Sequence, residues 1–181
     1  MISTLLSSAK ILLVDDNPTN LKVLSSAIQD QENWTILVAT DGESAIEQAR
    51  YAVPDLILLD VMMPGIDGFE TCQRLKNSEE TRAVPIIFMT ALTDPSHKLH
   101  GLELGAVDYI TKPFHQEEVV ARIRLHLKLS SLTQRLATHN ADLLKQIAER
   151  ERAESQLKQL THELEDRVEQ RTFELSESLA T

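Results

Sequence analysis

Leu56-Ile57-Leu58-Leu59 runs without a polar break into Asp60, and Val61-Met62-Met63-Pro64-Gly65 turns the chain straight afterwards. An apolar run with no alternation predicts a strand buried on both faces, as in a parallel sheet. In open α/β sheets, ligands bind beyond the carboxyl ends of the strands. Asp60 is therefore expected at the mouth of a site, held there by a rigid strand. An aspartate at that point also suits a helix cap, so this stretch alone leaves two readings.

The pattern recurs along the chain. Ile11-Leu12-Leu13-Val14 ends in Asp15-Asp16, the apolar run 85–89 ends in Thr90-Ala91, and Val107-Asp108-Tyr109-Ile110 leads to Thr111-Lys112-Pro113-Phe114. Residues 34–39 form a fifth, less apolar strand. Helical spacing separates these runs: Leu21, Val23, Leu24, Ala27 and Ile28 behind Asn17-Pro18, then 43–52, then 69–76, then a weak helix begun by Asp94-Pro95. Alternating strand and helix, five times over, predicts a doubly wound parallel α/β domain with right-handed crossovers.

Such a fold gathers the strand ends at one edge. Asp15 and Asp16, Asp60, Thr90 and Lys112 then meet. Three carboxylates in one place repel one another and require a cation. A small set of hard oxygen ligands suits Mg²⁺, or Mn²⁺ in its place. Lys112 is a point charge suited to a phosphate, and Thr90 offers a hydroxyl. Metal, lysine, hydroxyl and one spare carboxylate can together stabilise phosphoryl transfer, the carboxylate acting as nucleophile.

Taken together, Asp15-Asp16, Asp60 with Met63-Pro64 and Asp67-Gly68 behind it, Thr90-Ala91 and Lys112-Pro113-Phe114 resemble the bacterial response-regulator receiver domain, over roughly residues 9–128. The resemblance implies a five-stranded flavodoxin-like fold. It implies that Asp60 accepts phosphate from a histidine kinase or phosphotransfer protein. Asp15, Asp16, Asp60 and the backbone carbonyl of Met62 would hold the metal, and Lys112 would bind the phosphate. Thr90 and Tyr109 would be the switch pair, and a cis peptide is expected between Lys112 and Pro113. Met62 and Leu92, both apolar and two residues beyond Asp60 and Thr90, cannot position an attacking water, so a long-lived aspartyl phosphate is expected.

Charge and cysteine usage narrow the remainder. The net charge is −10, which argues against a nucleic-acid-binding surface. Residues 1–114 carry 16 acidic and 8 basic side chains, and residues 115–181 carry 12 and 10. The excess acid thus lies with the expected cation site. Cys72 is the sole cysteine, which precludes a disulfide within the chain and suits a reducing compartment; it reads as a packing residue. No apolar run reaches the ~18 residues of a membrane span. A cytoplasmic protein with no membrane and no nucleic-acid partner is expected.

From His115 to Thr181 there is neither Pro nor Gly, so the last helix of the 1–128 domain is expected to run on through 129–181. Leu129, Leu136, Leu143, Leu157 and Leu164 share one seven-residue repeat, which Arg150 and Arg171 interrupt. Ile147, Val168 and Leu175 occupy the companion position, together with Thr133, Asn140, Glu154 and Thr161. This is a coiled-coil pattern with polar breaks. A helix over 67 residues would be about 100 Å long at 1.5 Å per residue. Its stripe needs a partner, and a parallel homodimer is expected. Residues 164–172 resemble helical connectors that lead into output domains of bacterial signalling proteins. The chain is expected to lack that output and to be a piece of a longer protein, or a regulator whose output is the coil. The competing readings are a passive dimerisation scaffold, which the intact acidic set disfavours, and a flavodoxin-like enzyme, for which Asp15-Asp16-Asn17-Pro18 is a phosphate loop of the wrong charge.

Overall fold

The structure is a computed structural model that describes residues 8–29, 34–91, 95–113 and 115–179. Among the described residues, five strands and five helices alternate: β1 Lys10–Val14, α1 Pro18–Gln29, β2 Thr35–Ala39, α2 Gly42–Ala52, β3 Leu56–Asp60, α3 Gly68–Asn77, β4 Ile86–Thr90, α4 Pro95–Glu103, β5 Asp108–Thr111 and α5 Gln116–Leu179. The strands form one parallel sheet in the order β2-β1-β3-β4-β5. This is the flavodoxin-like arrangement, and its order reverses between β1 and β3.

The unbroken apolar runs follow from burial on two faces. Ile11, Leu13, Leu56, Leu58, Ile87 and Met89 pack against α1 and the start of α5. Their neighbours Leu12, Val14, Ile57, Leu59, Ile86 and Phe88 pack against α2 and α3 on the other face. Alternate residues of one strand thus serve two cores, and neither parity can be polar. The edge strand β2 has a half-exposed pattern, which accounts for its weaker sequence signal.

Helix starts are fixed by aspartates outside the site. Asp41 accepts from the Ser44 N–H at 2.7 Å and Asp67 from the Glu70 N–H at 2.8 Å, each satisfying a donor the helix leaves open. The start of α3 is also pinned by packing. A Cβ on Gly68 would lie 2.2 Å from the Asp60 carbonyl oxygen and 2.7 Å from Val61 Cα, so only glycine lets this helix meet the end of β3.

The chain divides into two compact units, Met1–Leu132 and Thr133–Thr181. The second is helical over its described length, and from Leu132 through Glu174 every side chain is exposed. Among the described residues, no helix is long and apolar enough to cross a membrane.

Candidate functional site

β1 ends at Val14, and the next residue, Asp15, is fully buried beyond the sheet edge. Its carboxylate is held from three directions. The Asn17 N–H donates at 2.9 Å, the Asn20 amide reaches both oxygens at 3.1 and 3.0 Å, and Lys112 Nζ approaches at 2.8 Å. Asp60 closes β3 and is 4% exposed. Lys112, one residue past β5, spans the two carboxylates and meets Asp60 at 2.7 Å. Asp16 is exposed, and its carboxylate lies within 4.8 Å of those of Asp15 and Asp60. The fold thus unites residues separated by as many as 97 positions.

Charge in this pocket is unevenly compensated. Burial pushes the Asp60 carboxyl above the usual carboxylate range, and the Asp15 charge adds to that; contact with Lys112 opposes both without cancelling them. Burial would lower the Lys112 ammonium, but its bonds to Asp15 and Asp60 hold it above the ordinary lysine value. One lysine facing three carboxylates leaves negative charge in excess. The donor set is all oxygen, clustered and open on the Asp16 side, which fits a hard divalent cation. The Lys112–Pro113 peptide is cis, as expected.

Thr90 ends β4 and is buried, and Tyr109 on β5 is half-buried. Both line a cavity of about 10 Å³, the room one water needs. Val61, Phe69, Phe88, Leu102 and Asp108 complete its wall. Phe69 stacks edge-on against Phe88 at 5.3 Å and against His100 at 5.1 Å. Met62 has 62% of its surface exposed, and its N–H lies 3.4 Å from Asp60 Oδ1. Leu92 lies outside the described residues, as do Phe114 and the side chain of Leu175.

Residues 11–124 match the family model described as Response regulator receiver domain. The chain belongs to this receiver family. The response regulator PleD of Caulobacter vibrioides is 41% identical over 135 residues, covering 72% of this chain and 30% of PleD. The match therefore spans under a third of that relative's length. A response regulator from Chloroflexus aurantiacus shares the fold with a TM-score of 0.63 at 36% identity, covering 66% of this chain and 98% of that one. The chemotaxis protein CheY4 of Vibrio cholerae gives 0.62 at 32%, covering 65% and 97%. Receiver domains of two-component regulators serve phosphorylation-based signalling, and these relatives are named as response regulators or chemotaxis proteins.

Two features of this receiver went unread in the sequence. Asn20 grips both Asp15 oxygens, yet at the sequence level it is only one of several polar residues at a helix start. The second is an ion cluster beside Tyr109. Asp108 Oδ2 accepts from Arg122 Nη1 at 2.7 Å and meets His126 Nε2 at 3.0 Å, and Glu118 holds Arg122 from one turn earlier. Helical spacing puts Glu118, Arg122 and His126 on one face of α5, but nothing in the sequence aligns that face with Asp108. Burial would raise the Asp108 carboxyl, but hydrogen bonds from His126, Arg122 and its own neighbour's N–H outweigh it and hold it low. A depressed carboxylate adds stability above its ordinary range, and that stability is lost as pH falls through the folded-state value. Asp108→Asn is expected to cost about 1–2 kcal/mol at neutral pH. The deficit should shrink as the wild type is taken to acid, read from urea midpoints across pH. A constant deficit would assign the loss to packing.

Proposed function

We propose that this receiver is a phosphorylation switch in which Asp60 is the acceptor. The observation that carries the reading is Lys112 Nζ, bonded to Asp15 and Asp60 together at the sheet edge. An Asp60 carboxylate oxygen attacks the phosphorus of a phosphohistidine on a kinase or phosphotransfer protein. The O–P bond forms, the P–N bond breaks, and the imidazole leaves with the bonding pair. Lys112 is placed to neutralise charge on the transferring oxygens. Asp15, Asp16 and Asp60, with the Met62 carbonyl, would hold Mg²⁺ or Mn²⁺, which when bound supplies further positive charge to the phosphoryl group. Asn20 and Asn17 position Asp15 for that task.

Thr90 and Tyr109 form the responding pair. A Thr90 hydroxyl drawn toward a new phosphoryl group alters the cavity it shares with Tyr109. Asp108 lines the same cavity and anchors α5 through Arg122 and His126, which supports transmission from strand to helix. The division of labour follows as a receiver in 1–128 and a coiled-coil homodimer segment in 129–181. The exposed Leu129, Leu136, Leu143, Ile147, Leu157, Leu164 and Val168 support the coil.

Light scattering coupled to small-angle X-ray scattering, with Mg²⁺ and beryllofluoride, tests the switch. The wild type should change mass or helix geometry while Asp60→Asn does not. A dimer indifferent to beryllofluoride would favour the passive scaffold instead.

The exposed, apolar Met62 offers no group to orient a hydrolytic water, so the aspartyl phosphate should be slow to hydrolyse. Met62→Glu is expected to shorten its lifetime about tenfold by supplying a general base, followed as phosphate release from the phosphorylated protein. A wild-type lifetime of seconds contradicts the assignment.

A further inference from the structure

Within the second unit, steps of three and four repeat without a slip from Thr133 to Arg171 and define a single stripe on the helix. Its apolar members are Leu136, Leu143, Ile147, Leu157, Leu164 and Val168, between 42% and 65% exposed. Side chains this apolar and this exposed, at constant heptad spacing, fit the seam of a two-stranded coil. The seam is not uniform. Midway, Arg150 and Glu154 occupy two successive stripe positions within the charged run Glu149-Arg150-Glu151-Arg152-Ala153-Glu154. In the single helix Glu154 meets Lys158, at 3.8 Å and largely in water.

We infer that Arg150 and Glu154 form an ion-pair node across two copies of this chain, paired parallel and in register. The inference rests on the parallel coil reading above and adds its register and central contact. Opposite charge at adjacent stripe positions is self-complementary. In a parallel pair, Arg150 of each copy lies one layer, about 6 Å of helix rise, from Glu154 of the other. An arginine side chain spans that step, and the four charges sum to zero.

The rest of the stripe selects the direction. An antiparallel pair centred on the same node would also match Arg150 with Glu154. It would set Asn140 against Leu164 and Leu143 against Thr161, burying polar groups on apolar ones. In the parallel register Asn140 faces Asn140, Thr161 faces Thr161 and every leucine meets its own kind; Arg150 then faces Arg150 and Glu154 faces Glu154, and each like-charge layer is offset by the opposite charge one layer away. Unpaired polar groups are costly when desolvated, and a self-paired Asn in a coil seam specifies dimers and register. The node separates two apolar blocks, 136–147 and 157–168, so the pairing is weakest at its centre.

Charge reversal and a single cysteine in the full chain test this. In sedimentation equilibrium, Arg150→Glu should raise the dimer dissociation constant at least about tenfold by gathering like charge at the node. Arg150→Glu with Glu154→Arg should restore it. Thr161→Cys should oxidise to a disulfide-linked dimer with itself, because only parallel in-register pairing brings two copies of residue 161 together; buried Cys72 in the unmodified chain is the control. A monomer at all concentrations overturns the coil reading and this inference with it. A dimer as tight with Arg150→Glu as without it overturns the node alone. A stable dimer whose Thr161→Cys form does not cross-link to itself overturns the parallel register alone.

Discussion

Asp60→Asn is expected to abolish phosphate uptake and, at the same time, to make the receiver more stable. The first effect follows from chemistry, since an amide has no anionic oxygen to attack phosphorus. The second follows from the pocket. Asp60 is nearly sealed from water beside Asp15, and burial holds its carboxyl above the usual range. A group that binds its proton more tightly in the fold than in the unfolded chain weakens the fold as pH rises through the interval between the two values. Above that interval the wild type carries the whole penalty. Asparagine keeps the shape, still accepts from Lys112 and removes the charge. A gain of roughly 1 kcal/mol, a few degrees in Tm for a unit of this size, is expected. Intact mass after acetyl phosphate treatment reads the first effect, and thermal unfolding at several pH values reads the second. The advantage should fade as pH drops into the carboxylate range. Phosphate retained on the variant would move the acceptor to another residue. A variant less stable than the wild type at neutral pH would show that the Lys112 contacts outweigh burial.

Gly68→Ala is expected to be the most damaging single methyl group that can be added near the site. The added carbon would stand 2.2 Å from the Asp60 carbonyl oxygen and 2.7 Å from Val61 Cα. Both are backbone atoms, so no rotamer change relieves the overlap. Either α3 retreats from the sheet or the end of β3 shifts, and Asp60 shifts with it. Overpacking against backbone supports a loss of about 2–4 kcal/mol, together with slower phosphorylation of whatever remains folded. Gly101→Ala is the matched control. Its Cβ would meet the Phe88 ring at 2.9 Å, and a ring can turn, so a loss nearer 1 kcal/mol is expected. Equal losses in the two variants would remove the special role given to the Gly68 contact.

Much of this fold was legible because its sheet is covered on both faces. Central strands such as 56–60 cannot alternate, so they announce themselves as solid apolar runs, and the residues closing those runs are the ones the fold collects. Asp15, Asp60, Thr90 and Lys112 were singled out in that way. What stayed hidden depends on alignment between distant segments. Asn20 faces Asp15 because of the pitch at which α1 leaves its loop. Asp108 meets Arg122 and His126 because of how α5 lies on β5. Gly68 is needed for a closest approach that leaves no trace in hydropathy; in the sequence it entered only with Asp67 as part of the receiver resemblance. Strand bounds also differed by a residue at the edges, with β2 beginning at Thr35 and β5 at Asp108, where half-exposed side chains blur the pattern.

The bridge from Lys112 to Asp15 has a kinetic consequence. It joins the end of the first strand to the residue after the last, 97 positions apart. Contacts that distant are slow to form, because a long loop must close before they contribute anything. Until β5 has docked at the sheet edge, no ammonium stands beside Asp60. On the proposed phosphoacceptor reading, a nascent or half-assembled receiver is therefore expected to take up no phosphate until the step that completes the sheet.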